Sequence, residues 1–243
     1  MNSRYILCMK WGTKYPAAFV NRLFRMVSRH LSLPFTMICL TDDAAGIDPA
    51  VVCHPIPPLD LPDGIPERGW RKLTTFSPDL YGLKGTALFL DLDVVILRNI
   101  DHFFTHEAAR GGVFIIRDWR RPWRMVGNSS VYRFELGAYP TLLEDFRANF
   151  QEIRANYRNE QAWLSAWLRE RKALRYWPED WCKSYKYHAL YPLPLSFFLA
   201  PRRPDCDILI FHGEINPDTA ITGGGGKWYR HVRPAPWLAD FWG

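Results

Sequence analysis

The chain has 243 residues, of which 48% are apolar and 15% aromatic. That length and apolar share support a sizeable core and exclude global disorder. The net charge is +6 and the isoelectric point near 9.1, but the basic clusters RDWRRPWR (117–124) and RERKALR (169–175) are short and lack a nucleic-acid signature, so no nucleic-acid partner is expected.

No apolar stretch reaches the ~20 residues that a membrane span needs. The N-terminal MNSRYILCMKWGTKYP lacks the long apolar run and small-residue cleavage site of a secretory leader. Cys8, Cys39, Cys53, Cys182 and Cys206 are scattered and form no C-x-x-C pair. They are expected to be reduced thiols in a cytoplasmic protein.

In chain order, RYILCMKW (4–11) is apolar and β-rich, and Gly12 follows. PAAFVNRLFRMVSRHL (16–31) spaces Phe19, Leu23, Met26 and Val27 along one helical face. FTMICLTDD (35–43) and AVVCHPIP (50–57) read as strands. This β-α-β-β opening predicts an α/β fold with a mainly parallel sheet. Residues 57–69 are dense in Pro and Gly and predict a loop. WRKLTTFSPDL (70–80) starts as a helix that Pro78 ends. TALFLDLDVVIL (86–97) suits a central strand buried on both faces.

GGVFIIRDW (111–119) and NSSVYRFELG (128–137) read as strands, and YPTLLEDFRANFQEIRANY (139–157) and EQAWLSAWLRE (160–170) as helices. DILIFHG (207–213) is a late strand, and TGGGGKWYRHV (222–232) a mobile loop or tail. There is no internal repeat and no clear linker. One domain is expected over 1–243.

Asp91 and Asp93 stand one residue apart inside the most apolar run of the chain. An unpartnered buried carboxylate is costly, so the pair either leaves the core at a strand end or meets positive charge. At the carboxyl end of a parallel strand both acids can converge on the crevice where open α/β sheets bind ligands. Two hard oxygen ligands this close suit Mn²⁺ or Mg²⁺, with coordination sites left for a diphosphate. Asp91, Asp93 and Val95 also match the D-x-D-x-[TV] of haloacid-dehalogenase-type phosphatases, in which the first Asp is a nucleophile. That chemistry needs a second acidic pair after a strand and a Gly, and none is recognisable downstream.

The order and spacing of several further stretches resemble the GT-A glycosyltransferases, in particular the family-8-like group of glycogenin and the lipopolysaccharide galactosyltransferases. The resemblance runs from about residue 5 to 217. It implies a GT-A (nucleotide-diphospho-sugar transferase) fold and hexose transfer from a nucleotide diphosphate sugar, a UDP-sugar by analogy, usually with retention.

In CMKWGTKY (8–15), Gly12 and Tyr15 fall where the first strand meets the nucleotide. Lys72 in GWRKLTTF (69–76) matches a donor-contacting lysine, and LDLDVVI (90–96) matches the metal motif. The resemblance implies that Asp91 ligates the metal and reaches the ribose, and that Asp93 ligates the metal. Asn128 and Ser129 in GNSSVYRF (127–134) match a sugar-binding segment in which Ser130 replaces a glycine. Glu160 and Gln161 match an Asp-Gln pair beside the reacting carbon, with Glu in place of Asp.

In ILIFHGEINP (208–217), His212 is the implied third metal ligand and Gly213 follows it. The family lysine that faces the leaving diphosphate is Asn216 here, and Lys227 after the glycine run is the candidate substitute. The expected partners are the nucleotide-sugar donor and an unidentified glycan, lipid-linked or protein acceptor, the basic balance suiting peripheral attachment at the inner membrane face. A phosphatase, or a non-catalytic nucleotide-sugar binder that kept the fold, are the alternatives.

Overall fold

Along each central strand, successive apolar side chains belong to two different cores, and this alternation builds the sheet. The computed structural model describes residues 3–62, 67–120, 122–224 and 232–243. Its strands are β1 (Arg4–Lys10), β2 (Thr36–Thr41), β3 (Val52–His54), β4 (Thr86–Leu90), β5 (Val94–Ile96), β6 (Val113–Arg117), β7 (Gly127–Glu135), β8 (Leu174–Tyr176), β9 (Cys182–Ser184) and β10 (Ile208–Ile210). In β1, Ile6 and Cys8 join one core while Leu7 and Met9 join the other. In β4, Leu88 and Leu90 are divided in the same way from Ala87 and Phe89. A sheet covered on both faces needs apolar residues at nearly every position, which is why these strands read as unbroken apolar runs.

The main sheet has the order β3-β2-β1-β4-β7-β6-β8. Only β7 runs against the rest, pairing antiparallel with both β4 and β6. A second sheet, β5-β10-β9, pairs β10 antiparallel to β5 and parallel to β9.

The helices are α1 (Ala17–His30), α2 (His102–Thr105), α3 (Leu142–Ala148), α4 (Phe150–Asn156), α5 (Glu160–Glu170) and α6 (Pro217–Thr222). α1 buries Phe19, Val20, Leu23, Met26 and Val27 in the first core, which the second sheet shares. α3, α4 and α5 cover the opposite face with Phe146, Ile153, Trp163, Trp167 and Leu168. The mainly parallel α/β architecture is the expected one.

Three local expectations are corrected. TALFLDLDVVIL is two strands in different sheets, because the chain turns at Asp91–Asp93 between β4 and β5. The predicted helix at 139–157 is broken at Asn149, whose side-chain amide donates to the Asp145 carbonyl as the backbone leaves the helix. The predicted helix at 70–80 is a 3-10 segment, Arg68–Phe76. There, the Thr74, Thr75 and Ser77 hydroxyls bond back to carbonyls three residues earlier and tighten the turns. Finally, the segment at 222–232 begins in the last residue of α6, and its residues 225–231, with Lys227, lie outside the described residues.

Candidate functional site

The parallel strands end on one edge, and the antiparallel β7 starts there. A cavity of about 600 Å³ opens at that edge. Its walls come from the ends of β1 (Trp11, Tyr15), β4 (Asp91, Asp93) and β6 (Asp118, Trp119), and from the start of β7 (Asn128, Ser129). The 3-10 segment contributes Lys72, the start of α5 Glu160 and Gln161, and the end of β10 His212 and Gly213.

β4 stops where the Asp91 N–H donates to the Ser130 carbonyl of β7 at 2.9 Å. Leu92 is buried in the first core, so the chain turns with both acids at the cavity wall. Lys72 Nζ lies 2.6 Å from Asp91 Oδ1. Burial works to lower the Lys72 pKa, but the charges of Asp91, Glu160 and Asp93 outweigh it and raise it, so Lys72 stays cationic. The Tyr15 hydroxyl donates to Asp93 Oδ2 at 2.6 Å. Burial first, and the Asp91 charge second, push the Asp93 carboxyl up to about 6. Burial and the Asp93 charge raise the Tyr15 phenol, which remains a donor.

Ser129 links β7 to α5. Its hydroxyl donates to Glu160 Oε1 at 2.8 Å, and its N–H donates to Gln161 Oε1 at 3.3 Å. Asn159 caps α5, its side chain accepting from the Ala162 N–H. Glu160 is buried, and a Cβ on Gly69 would sit 3.1 Å from its Oε2, so the absence of a side chain at residue 69 makes room for the carboxylate. Trp163 and Trp167 are core residues.

His212 lies between Trp119, whose ring is nearly parallel at 6.2 Å, and Tyr187 at 5.4 Å. Burial and then the Lys186 charge lower its pKa, which favours the neutral ring. Its Nε2 is engaged with Ser184 Oγ at 2.7 Å.

Of the residues expected in the site, Tyr15, Lys72, Asp91, Asp93, Asn128, Ser129, Glu160, Gln161, His212 and Gly213 line this cavity. Gly12 does not line it; it takes a φ of +60° and its N–H donates to Asp42 Oδ2 at 2.8 Å, shaping the loop after β1. Tyr15 is committed through its hydroxyl to Asp93, while Trp11 beside it also lines the cavity. Asn216, which replaces the family lysine, is the N-cap of α6 in a reciprocal capping box with Thr219. Lys14, Asp118, Trp119, Arg120, Arg158, Lys186 and Tyr187 also line the cavity. The sequence reading did not assign them there. Its available signal was the position of RDW at the carboxyl end of a parallel strand.

The donor chemistry of the two carboxylates suits a divalent cation. Asp93 is buried and Asp91 partly exposed, the Asp91 charge works against ionisation of Asp93, and no protein hydrogen bond reaches Asp91 Oδ2 or Asp93 Oδ1 among the described residues. His212 shares the cavity but is not gathered with them. Among the described residues no group of three or more His, Cys, Asp or Glu stands ready to hold a metal ion.

No protein-family model and no curated protein sequence matches the chain significantly. Solved structures do. An active-site mutant of LgtC superposes with a TM-score of 0.62 at 12% identity, over 88% of this chain and 89% of that one. The galactosyltransferase LgtC with donor and acceptor sugar analogues gives 0.57 at 13%, over 88% of each chain. The glycosyltransferase GlyE of Streptococcus pneumoniae TIGR4 gives 0.65 at 13%, over 98% of this chain and 60% of that one. The chain has the GT-A fold. Within that frame, β7 runs antiparallel beside β4 and the acids stand at the β4 edge. That frame does not favour the phosphatase alternative.

Proposed function

We propose that this chain is a metal-dependent glycosyltransferase that moves a hexose from a nucleoside diphosphate sugar, by resemblance a UDP-sugar, to a glycan, lipid-linked or protein acceptor. The observation that carries this reading is the convergence of Asp91, Asp93, Lys72, Ser129 and the Glu160–Gln161 pair on one cavity of a GT-A fold. The complex of LgtC with donor and acceptor sugar analogues supports a two-substrate site in this fold.

Asp91 and Asp93 would hold the cation, Mn²⁺ or Mg²⁺; His212, held by Ser184, is the third ligand by resemblance alone. When bound, the cation supplies positive charge to the diphosphate as the bond to the sugar breaks. Lys72 adds a second, fixed positive charge on the same side. Trp11 offers a stacking face to the base, and Asn128 offers hydrogen bonds to sugar hydroxyls.

The Glu160 carboxylate is bound to Ser129 and packed against Gly69. That arrangement favours positioning over covalent attack, and hence a front-face route to retention. Five free thiols support cytoplasmic action, and the basic surface supports work at the inner membrane face.

The test is a donor screen. The protein is incubated with a panel of nucleotide sugars and Mn²⁺, and release of nucleoside diphosphate is followed. Slow hydrolysis of one donor that stops on chelation is expected. Turnover of no nucleotide sugar, or of a generic phosphomonoester instead, would contradict the reading.

A further inference from the structure

Residues 181–204, WCKSYKYHALYPLPLSFFLAPRRP, contain Lys183, Lys186, Arg202 and Arg203 and no Asp or Glu. Within them, Leu193, Leu195, Phe197, Phe198 and Leu199 are 51%, 47%, 42%, 73% and 42% exposed. Five large apolar side chains exposed within seven residues form a concentrated patch, whereas exposed apolar residues are normally scattered singly.

The patch is ordered. Its backbone is closed by Ser196 N–H to Pro192 carbonyl, Phe198 N–H to Leu195 carbonyl and Leu199 N–H to Leu195 carbonyl, at 3.2, 3.0 and 2.9 Å. Its rim is basic. Arg233 donates to the Phe197 carbonyl at 3.0 Å, and Arg202 donates to the His188 carbonyl at 2.8 Å. No helix of the described residues is long and apolar enough to cross a membrane.

We propose that the loop from Leu193 to Leu199, with Arg202 and Arg233 beside it, docks the protein on an anionic lipid surface. Apolar side chains above a cationic rim match the two layers of such a surface: acyl chains below, and negative headgroups at the level of the arginines. Charge complementarity selects this occupant over a second copy, because two copies meeting here would press like-charged rims together. Five residues separate the loop from Lys186 and Tyr187, which line the large cavity. Docking would therefore hold the cavity near the headgroups. The docking itself does not depend on the glycosyltransferase reading.

The experiment is co-sedimentation of the full chain with vesicles of equal parts phosphatidylcholine and phosphatidylglycerol, and with pure phosphatidylcholine. No nucleotide sugar is present. The wild type is expected to pellet with the anionic vesicles and to be released by raised salt. The double variant Leu195→Ser, Phe198→Ser is expected to lose about tenfold or more in vesicle affinity. Arg233→Gln is expected to weaken it less. Unchanged melting temperatures in the variants exclude misfolding as the cause. Three results would overturn the proposal: no binding of the wild type, equal binding of the double variant, or a wild-type dimer in solution that the double variant abolishes.

Discussion

Asp93 is buried beside Asp91, and its carboxyl is raised from the ordinary 3.8 to about 6. A carboxyl whose pKa is higher in the folded chain stabilises the fold while protonated, and that contribution is lost as pH rises through the raised value. The metal-free protein is therefore expected to melt at lower temperature as pH climbs from about 4 past about 6. Asp93→Asn should flatten that decline and raise the melting temperature at neutral pH, a trend that calorimetric scans across the range would check. A second expectation concerns Ser129→Ala. It removes the hydrogen bond to the buried Glu160 carboxylate and should cost about 1–3 kcal/mol in denaturant unfolding, together with weaker donor binding. The acid pair was legible in the sequence because charge inside an apolar run demands an explanation. Lys72 was legible only through resemblance. Asp118, Trp119 and Arg120 were not, since a short basic cluster looks like solvated surface until β6 is known to end at the cavity.

Among the elements, α6 shows how a local signal was present but read for chemistry alone. Asn216, Pro217 and Thr219 form an N-cap, a first-turn proline and a reciprocal capping residue. Asn216→Ala is expected to lower stability by about 1 kcal/mol, measured by thermal melts, while leaving donor affinity unchanged. A loss of donor affinity without a loss of stability would assign Asn216 to the site instead. The boundary between β4 and β5 was hidden for a physical reason. An apolar run records burial, and Leu92 is as buried as the strand residues on either side of it, so hydropathy alone cannot mark the change of sheet. The break at Asn149 was hidden likewise, because Phe146, Phe150 and Ile153 all enter one core across it.

For the molecule as a whole, the β-α-β-β opening foretold the parallel half of the sheet. The pairing of β7 between β4 and β6 is a long-range choice that periodicity cannot record. The same holds for the packing of Trp242, which is buried in the first core, donates to Asp218 at 2.8 Å and stacks under Arg22 of α1. Trp242→Ala is expected to cost about 3–5 kcal/mol in denaturant unfolding, because it opens a cavity between α1 and α6. The proposed function requires this cavity to grip a nucleoside diphosphate through the acids at the β4 edge. The most direct measurement is calorimetric titration of UDP into wild type and Asp93→Ala, each with Mn²⁺ and each shown to be folded. Mn²⁺-dependent binding is expected in the wild type, and at least about a hundredfold weaker binding in the variant. Equal affinity in the two proteins would contradict the proposed function.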